Sequence, residues 1–96
     1  MNINTKFNIN ATLINTNGEE REITPINGKN FTLQELYKLI DCTTIEVLPL
    51  PNRKYMIIDE EGKLKLRYTL NGKATQIYKL DFIVGNVVIC DRGMFK

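Results

Sequence analysis

A chain of 96 residues has room for one small domain, because domains commonly contain about 100–150 residues. Its apolar fraction of 43% and charged fraction of 25% are those of a globular protein, and its net charge of +2 argues against strong binding to a polyanion. The sequence contains no histidine, so the commonest general base and the commonest metal ligand are both missing. We therefore predict a single domain over residues 1–96 that is not an enzyme and binds no metal and no cofactor.

Cys42 and Cys90 are the only cysteines of the chain. A structural zinc ion usually takes four Cys or His ligands, so two cysteines do not indicate a zinc site. No apolar run approaches the roughly 20 residues that span a bilayer, and residues 1–6 lack the apolar segment of a secretory signal. We expect a cytoplasmic protein with both thiols reduced and no membrane partner.

Residues 11–25 follow the pattern strand, turn, strand around the dipeptide Asn17-Gly18, which is a strong hairpin signal. A two-residue loop would set Leu13 opposite a glutamate. An odd-length loop places Leu13 and Ile23 on the same face, as burial requires, because a one-residue slip reverses every side chain. We therefore expect a three-residue or bulged turn.

The clearest local signal predicts a helix over Thr32–Asp41. Thr32 and Glu35 have the spacing of a capping box, in which each side chain bonds the backbone of the other. Four apolar residues then follow at helical spacing and form one stripe: Leu33, Leu36, Tyr37 and Ile40.

The rest of the chain predicts four further strands and a short second helix. The strands are expected at Ile45–Leu48, Lys54–Asp59, Lys63–Leu70 and Phe82–Cys90. Within Lys63–Leu70, charged residues alternate with Leu64, Leu66, Tyr68 and Leu70, which is typical of a half-buried strand. The short helix is expected to begin near Asn71, and Gly62 in the preceding turn is expected to take a positive φ.

Together these elements predict an α+β fold. About five or six strands form one mainly antiparallel sheet, the Thr32–Asp41 helix packs on one face, and the valine-rich stretch near the carboxyl terminus lies in the middle. We expect residues 1–10 to be either an edge strand or a frayed terminus, and residues 93–96 to be a tail. A sheet covered on one side would leave its other face open for a partner protein or for a second copy.

Five short motifs follow one another along the chain: FTLQEL at 31–36, IEV at 45–47, IDEEGKL at 58–64, N-x-x-A-T at 71–75 and DFIVGNVVI at 81–89. In this order they resemble an uncharacterised family, DUF3846, over roughly residues 12–90. The sequence departs from the usual pattern of that family after Leu64, where a longer charged segment replaces a short Gly-Leu-Pro-like link. Members occur in bacteria, phages and mobile elements, so the resemblance implies a prokaryotic or viral accessory protein and assigns no catalytic residue.

The cations Lys63, Lys65 and Arg67, with Lys73 nearby, are the sharpest candidate site. On one strand face they would repeat at about 6.6–7 Å, close to the phosphate spacing of a single nucleic-acid strand. An ordinary solvent face and an edge strand protected by lysines are the simpler interpretations of the same pattern.

The acidic cluster Asp59-Glu60-Glu61 has a metal or acid–base interpretation and a simpler one as a solvated turn. Adjacent carboxylates in a turn diverge into solvent, which favours the turn. No phosphate-binding loop, dinucleotide fingerprint or hydrolase elbow occurs in the sequence.

We therefore expect a non-catalytic accessory protein of a phage or mobile element that binds a protein partner or forms a homo-oligomer. The alternative is a nucleic-acid or nucleotide-binding protein that uses Lys63, Lys65, Arg67 and Lys73.

Overall fold

The computed structural model describes residues 11–95, so the expectation for residues 1–10 lies outside the described residues. Five strands and two helices follow in chain order: β1 Ala11–Ile14, β2 Glu20–Ile23, α1 Leu33–Ile40, β3 Ile45–Leu50, β4 Lys54–Asp59, α2 Gly72–Tyr78 and β5 Val87–Asp91. Two short 3-10 turns, Gly62–Leu64 and Arg92–Met94, flank the later elements. The predicted α+β class is confirmed.

The strands form one antiparallel sheet in the order β2-β1-β5-β4-β3. The last strand, β5, therefore lies in the centre, where Val88 is paired with Leu13 of β1 and with Ile57 of β4. This confirms that the valine-rich stretch builds the middle of the sheet.

The β1–β2 hairpin closes on a three-residue loop, as predicted. The Asn15 N–H donates to the Glu19 carbonyl over 3.0 Å, and Gly18 between them has a φ of 87°. Ala11 is paired with Ile23, which places Leu13 and Ile23 on the same face of the sheet.

Helix α1 has the predicted capping box. The Thr32 hydroxyl accepts the Glu35 N–H at 3.1 Å, and the Glu35 carboxylate accepts the Thr32 and Ile26 N–H groups, each at 2.7 Å. Burial acts to raise the pKa of Glu35, but these backbone donors outweigh it and hold the pKa below its ordinary value. Because Asp41 takes a left-handed conformation, the helix ends there.

Both faces of the sheet are covered, so the expectation of an open face is wrong. On the first face α1 packs over a core of Ala11, Phe31, Leu36, Ile40, Ile57, Val88, Cys90 and Met94. On the second face α2 and its flanking residues cover a core of Ile14, Leu48, Leu50, Met56, Ala74, Ile83 and Val87. The chain between β4 and β5 folds back over this face instead of extending the sheet.

The predicted strand Lys63–Leu70 does not form. A 3-10 turn occupies Gly62–Leu64 and irregular chain follows, with a single bridge from Leu70 to Val84. The physical reason is that β4 already pairs with β3 on one side and with β5 on the other, so no edge is free beside it. Gly62 does not take a positive φ; a Cβ there would lie 2.9 Å from Val84 Cγ2, so a side chain at this position would displace the buried Val84.

Three other predicted boundaries differ from the structure. Strand β5 begins only at Val87, because Gly85 turns the chain with a φ of 76°. Strand β3 continues past Pro49, which an edge strand tolerates because its outer N–H groups need no partner. Residues 93–95 are not a tail, since Met94 is buried in the α1 core and Phe95 contacts the Tyr55 ring at a centroid distance of 6.3 Å.

The fully buried side chain of Asn71 fixes the chain over the second face. Its Nδ2 donates to the carbonyls of Ile14 at 3.1 Å and Gly85 at 2.8 Å, while its Oδ1 accepts the Ala74 N–H and caps α2. Its backbone N–H donates to the Ile83 carbonyl at 2.8 Å. One amide group thus joins the end of β1, the approach to β5 and the first turn of α2.

We expect Leu36→Ala to lower the free energy of unfolding by about 2–5 kcal/mol, because the cavity would open in the core beneath α1. Leu66→Ala is the matched control: that side chain is 97% exposed, and its loss should change the free energy by less than about 0.5 kcal/mol. Urea unfolding of both variants measures the difference, and equal effects would contradict this packing.

We expect Asn71→Asp to destabilise the protein by at least about 2 kcal/mol, although aspartate caps helices as well as asparagine does. The carboxylate keeps the acceptor for the Ala74 N–H but has no donor for the carbonyls of Ile14 and Gly85. Asn27→Asp is the control, because Asn27 is exposed: its Oδ1 accepts backbone N–H groups that a carboxylate would also accept, and the bond that its Nδ2 donates to Asn30 Oδ1 lies in solvent. A stable Asn71→Asp variant in thermal unfolding would refute the assigned role.

Candidate functional site

The four cations proposed from the sequence do not share one strand face. Lys63 pairs with Asp81 at 2.7 Å and lies 3.9 Å from the centre of the Phe82 ring. Lys73 pairs with Glu20 at 2.9 Å and so connects α2 to β2. Each of these two lysines is therefore paired with an acid from another part of the chain, in a pair whose side chains are well exposed.

Lys65 is held in the same way at the end of α1. Its Nζ lies 2.8 Å from Asp59 Oδ2 and donates to the Asp41 carbonyl at 3.4 Å. The hydrogen bond to Asp59 raises the pKa of Lys65 above its ordinary value. The structure corrects one expectation here: Asp59 is buried rather than solvated, and its second oxygen accepts the Glu61 N–H.

Arg67 differs from these lysines. Within residues 11–95 it forms no hydrogen bond and no ion pair, and it is exposed. A further cation, Lys54, pairs with Asp91 across β4 and β5 at 2.7 Å. Of the four candidate cations, Arg67 is thus the one with no acid within ion-pair distance in the described part of the chain.

A polar cavity of about 270 Å³ lies where the ends of β1, β5 and β4 meet the end of α1. Its polar lining includes Thr16, Asp41, Lys65, Arg67, Thr69 and Asn86. Two acids, Asp41 and Asp59, balance the two cations that line it, so the cavity has room for a small polar molecule but does not select an anion.

The most distinctive surface is apolar. Nine large hydrophobic side chains are exposed among the described residues, and seven of them lie in one stretch of chain that covers the second face of the sheet. We call these seven the apolar surface: Leu64, Leu66, Tyr68, Leu70, Ile77, Leu80 and Phe82. Leu66 is 97%, Leu64 82% and Leu80 80% exposed, so these side chains contribute little to the core.

Contacts bring two members of the apolar surface together from distant positions of its chain segment. The rings of Tyr68 and Phe82 lie 6.2 Å apart, and the bridge between Leu70 and Val84 runs beside them. Ala74, Ile83 and the half-buried Tyr78 pack into the core beneath, whereas the seven side chains of the apolar surface are exposed. The sequence pattern did identify Leu64, Leu66, Tyr68 and Leu70 as one set, but it placed them inward on a strand that is not present.

The two thiols are poorly suited to nucleophilic chemistry. Burial raises the pKa of Cys90 to about 11, and burial together with the charge of Asp59 raises the pKa of Cys42. Both are free cysteines and remain protonated at neutral pH. Among residues 11–95, no three Cys, Asp or Glu side chains are grouped so that they could hold a metal ion.

The model of a protein family described as a domain of unknown function, DUF3846, matches residues 9–94. The chain belongs to this family. Comparison of this chain with the curated proteins and with the solved structures found no match. DUF3846 membership agrees with the order of motifs along the chain, and because the function of the family is unknown it assigns no activity to this protein. In the described part of this DUF3846 protein, no helix is both long and apolar enough to cross a bilayer.

We expect Asp59→Asn to loosen residues 62–65, because it leaves Lys65 without its charged partner while the acceptor for the Glu61 N–H is kept. The free energy of unfolding should fall by about 1–2 kcal/mol, and hydrogen exchange at the Lys65 amide should become faster. Asp91→Asn removes an equally short but more exposed ion pair and should cost less than about 0.5 kcal/mol. Equal losses in urea unfolding would contradict the difference in burial.

Proposed function

We propose that this DUF3846 protein is a non-catalytic accessory protein that binds another protein through the apolar surface. The single observation that supports this is the concentration of seven of the nine exposed large hydrophobic residues in one segment. Large exposed apolar patches are uncommon on monomeric soluble proteins and mark interaction sites. The resemblance to a family of bacteria, phages and mobile elements supports a cytoplasmic role in such a system.

Nucleic-acid binding through Lys63, Lys65, Arg67 and Lys73 is less well supported. Three of these cations have acidic partners within the protein, so fewer phosphates can be neutralised than the sequence alone implies. The most exposed members of the apolar surface are leucines, which offer no ring on which a base can stack. An enzyme that uses Asp59 with a lysine is disfavoured because Asp59 is buried and already paired with Lys65.

Site-specific photocrosslinking in the source organism tests the proposal. A photoreactive amino acid replaces Leu66 in one variant and Ile26 in another; both side chains are highly exposed, at 97% and 87%. We expect a discrete crosslinked protein from position 66 that is absent from position 26. No product, or the same products from both positions, would refute binding through the apolar surface, and a product of twice the mass of the chain would identify the partner as a second copy.

A further inference from the structure

We infer that the partner of the apolar surface is a different protein that presents an acidic, apolar segment, an inference that rests on the proposed function. The observation behind it is the charge of the residues between and around the seven hydrophobic side chains. Residues 63–82 contain five cations and one acid, whereas the whole chain carries a net charge of only +2. The apolar surface is therefore embedded in the most basic part of the sequence.

Two of the five cations have no acidic partner among residues 11–95. Arg67 stands between Leu66 and Tyr68, and Lys79 directly precedes Leu80. Each free cation is thus adjacent in sequence to an exposed hydrophobic side chain. A partner segment that buries these hydrophobic residues passes within one residue of Arg67 and Lys79 along the chain, so carboxylates on it can pair with both cations and compensate for their lost hydration.

The ion-paired lysines differ in how easily a partner could reach them. Lys63 and Asp81 have side chains that are 37% and 58% exposed, and such exposed pairs contribute little stability. A carboxylate of the partner can therefore compete with Asp81 for Lys63. Lys65 is unlike Lys63, because the side chain of Asp59 is only 7% exposed and the pair is part of the fold.

The same charges disfavour a symmetric pair of copies. In a two-fold dimer each surface meets itself, so Arg67 and Lys79 of one copy would approach the cations of the other. Such like-charge contacts oppose association even where apolar area is buried. A distinct partner with acidic residues has no such penalty.

Selection from a displayed random-peptide library, with the full-length protein as bait, tests the inference. We expect peptides rich in Asp, Glu and large hydrophobic residues. The double variant Arg67→Glu, Lys79→Glu should lose at least about tenfold in affinity for a selected peptide and should itself select peptides rich in Lys and Arg. Arg21→Glu, Lys29→Glu is the matched control, because it makes the same change of charge away from the apolar surface, and it should leave the affinity unchanged.

The outcomes separate the inference from the proposed function. Apolar peptides without acidic residues, or affinity that survives the charge reversal, would overturn the inference and leave the proposed function intact. Peptides that bind a Leu64→Ser, Leu66→Ser variant as well as the unaltered protein would refute the proposed function itself. Salt-dependent binding of a single-stranded oligonucleotide that disappears in the charge-reversed variant would overturn the inference in favour of nucleic acid. Self-association in light scattering that the Leu64→Ser, Leu66→Ser variant loses would overturn it in favour of a second copy.

Discussion

The buried amide of Asn71 determines how α2 and the chain around it, here called the second layer, cover the second face of the sheet. Its two donated hydrogen bonds and one accepted bond join β1, the chain before β5 and the start of α2. Water does not reach this side chain, so an asparagine whose bonds were broken would leave three buried polar groups without partners. These bonds fix the path of the chain between β4 and β5 over the sheet. That path in turn determines which side chains of the segment face the core and which face solvent.

The local signals of this sequence predicted helix α1 and the β1–β2 hairpin well. The capping box of Thr32 and Glu35, the apolar stripe of α1 and the turn at Gly18 all depend on residues within a few positions of one another. The strand over residues 63–70 was predicted from an equally clear local pattern and was wrong. Alternation describes what a segment would do beside a free sheet edge, and whether the edge of β4 is free depends on β5, which begins 17 residues after Leu70.

The candidate site was harder to predict for a related reason. Lys73 is neutralised by Glu20, and Lys63 by Asp81, in pairs that span 53 and 18 positions of sequence. The sequence alone does not predict these ion pairs, because they form only when α2 and its flanking chain have folded over the sheet. Arg67 could not be distinguished from its neighbours before that fold was known.

The position of β5 also has a consequence for the order of events during synthesis. Strands β1 and β4 are separated by β5 in the sheet, yet β5 is made after both of them. Until the ribosome has added residues 87–91, the hairpin of β1 with β2 and the hairpin of β3 with β4 have no strand between them, and their inner edges stay unpaired. The central strand of the sheet is therefore the last to be made, and the two hairpins cannot be joined into one sheet before it.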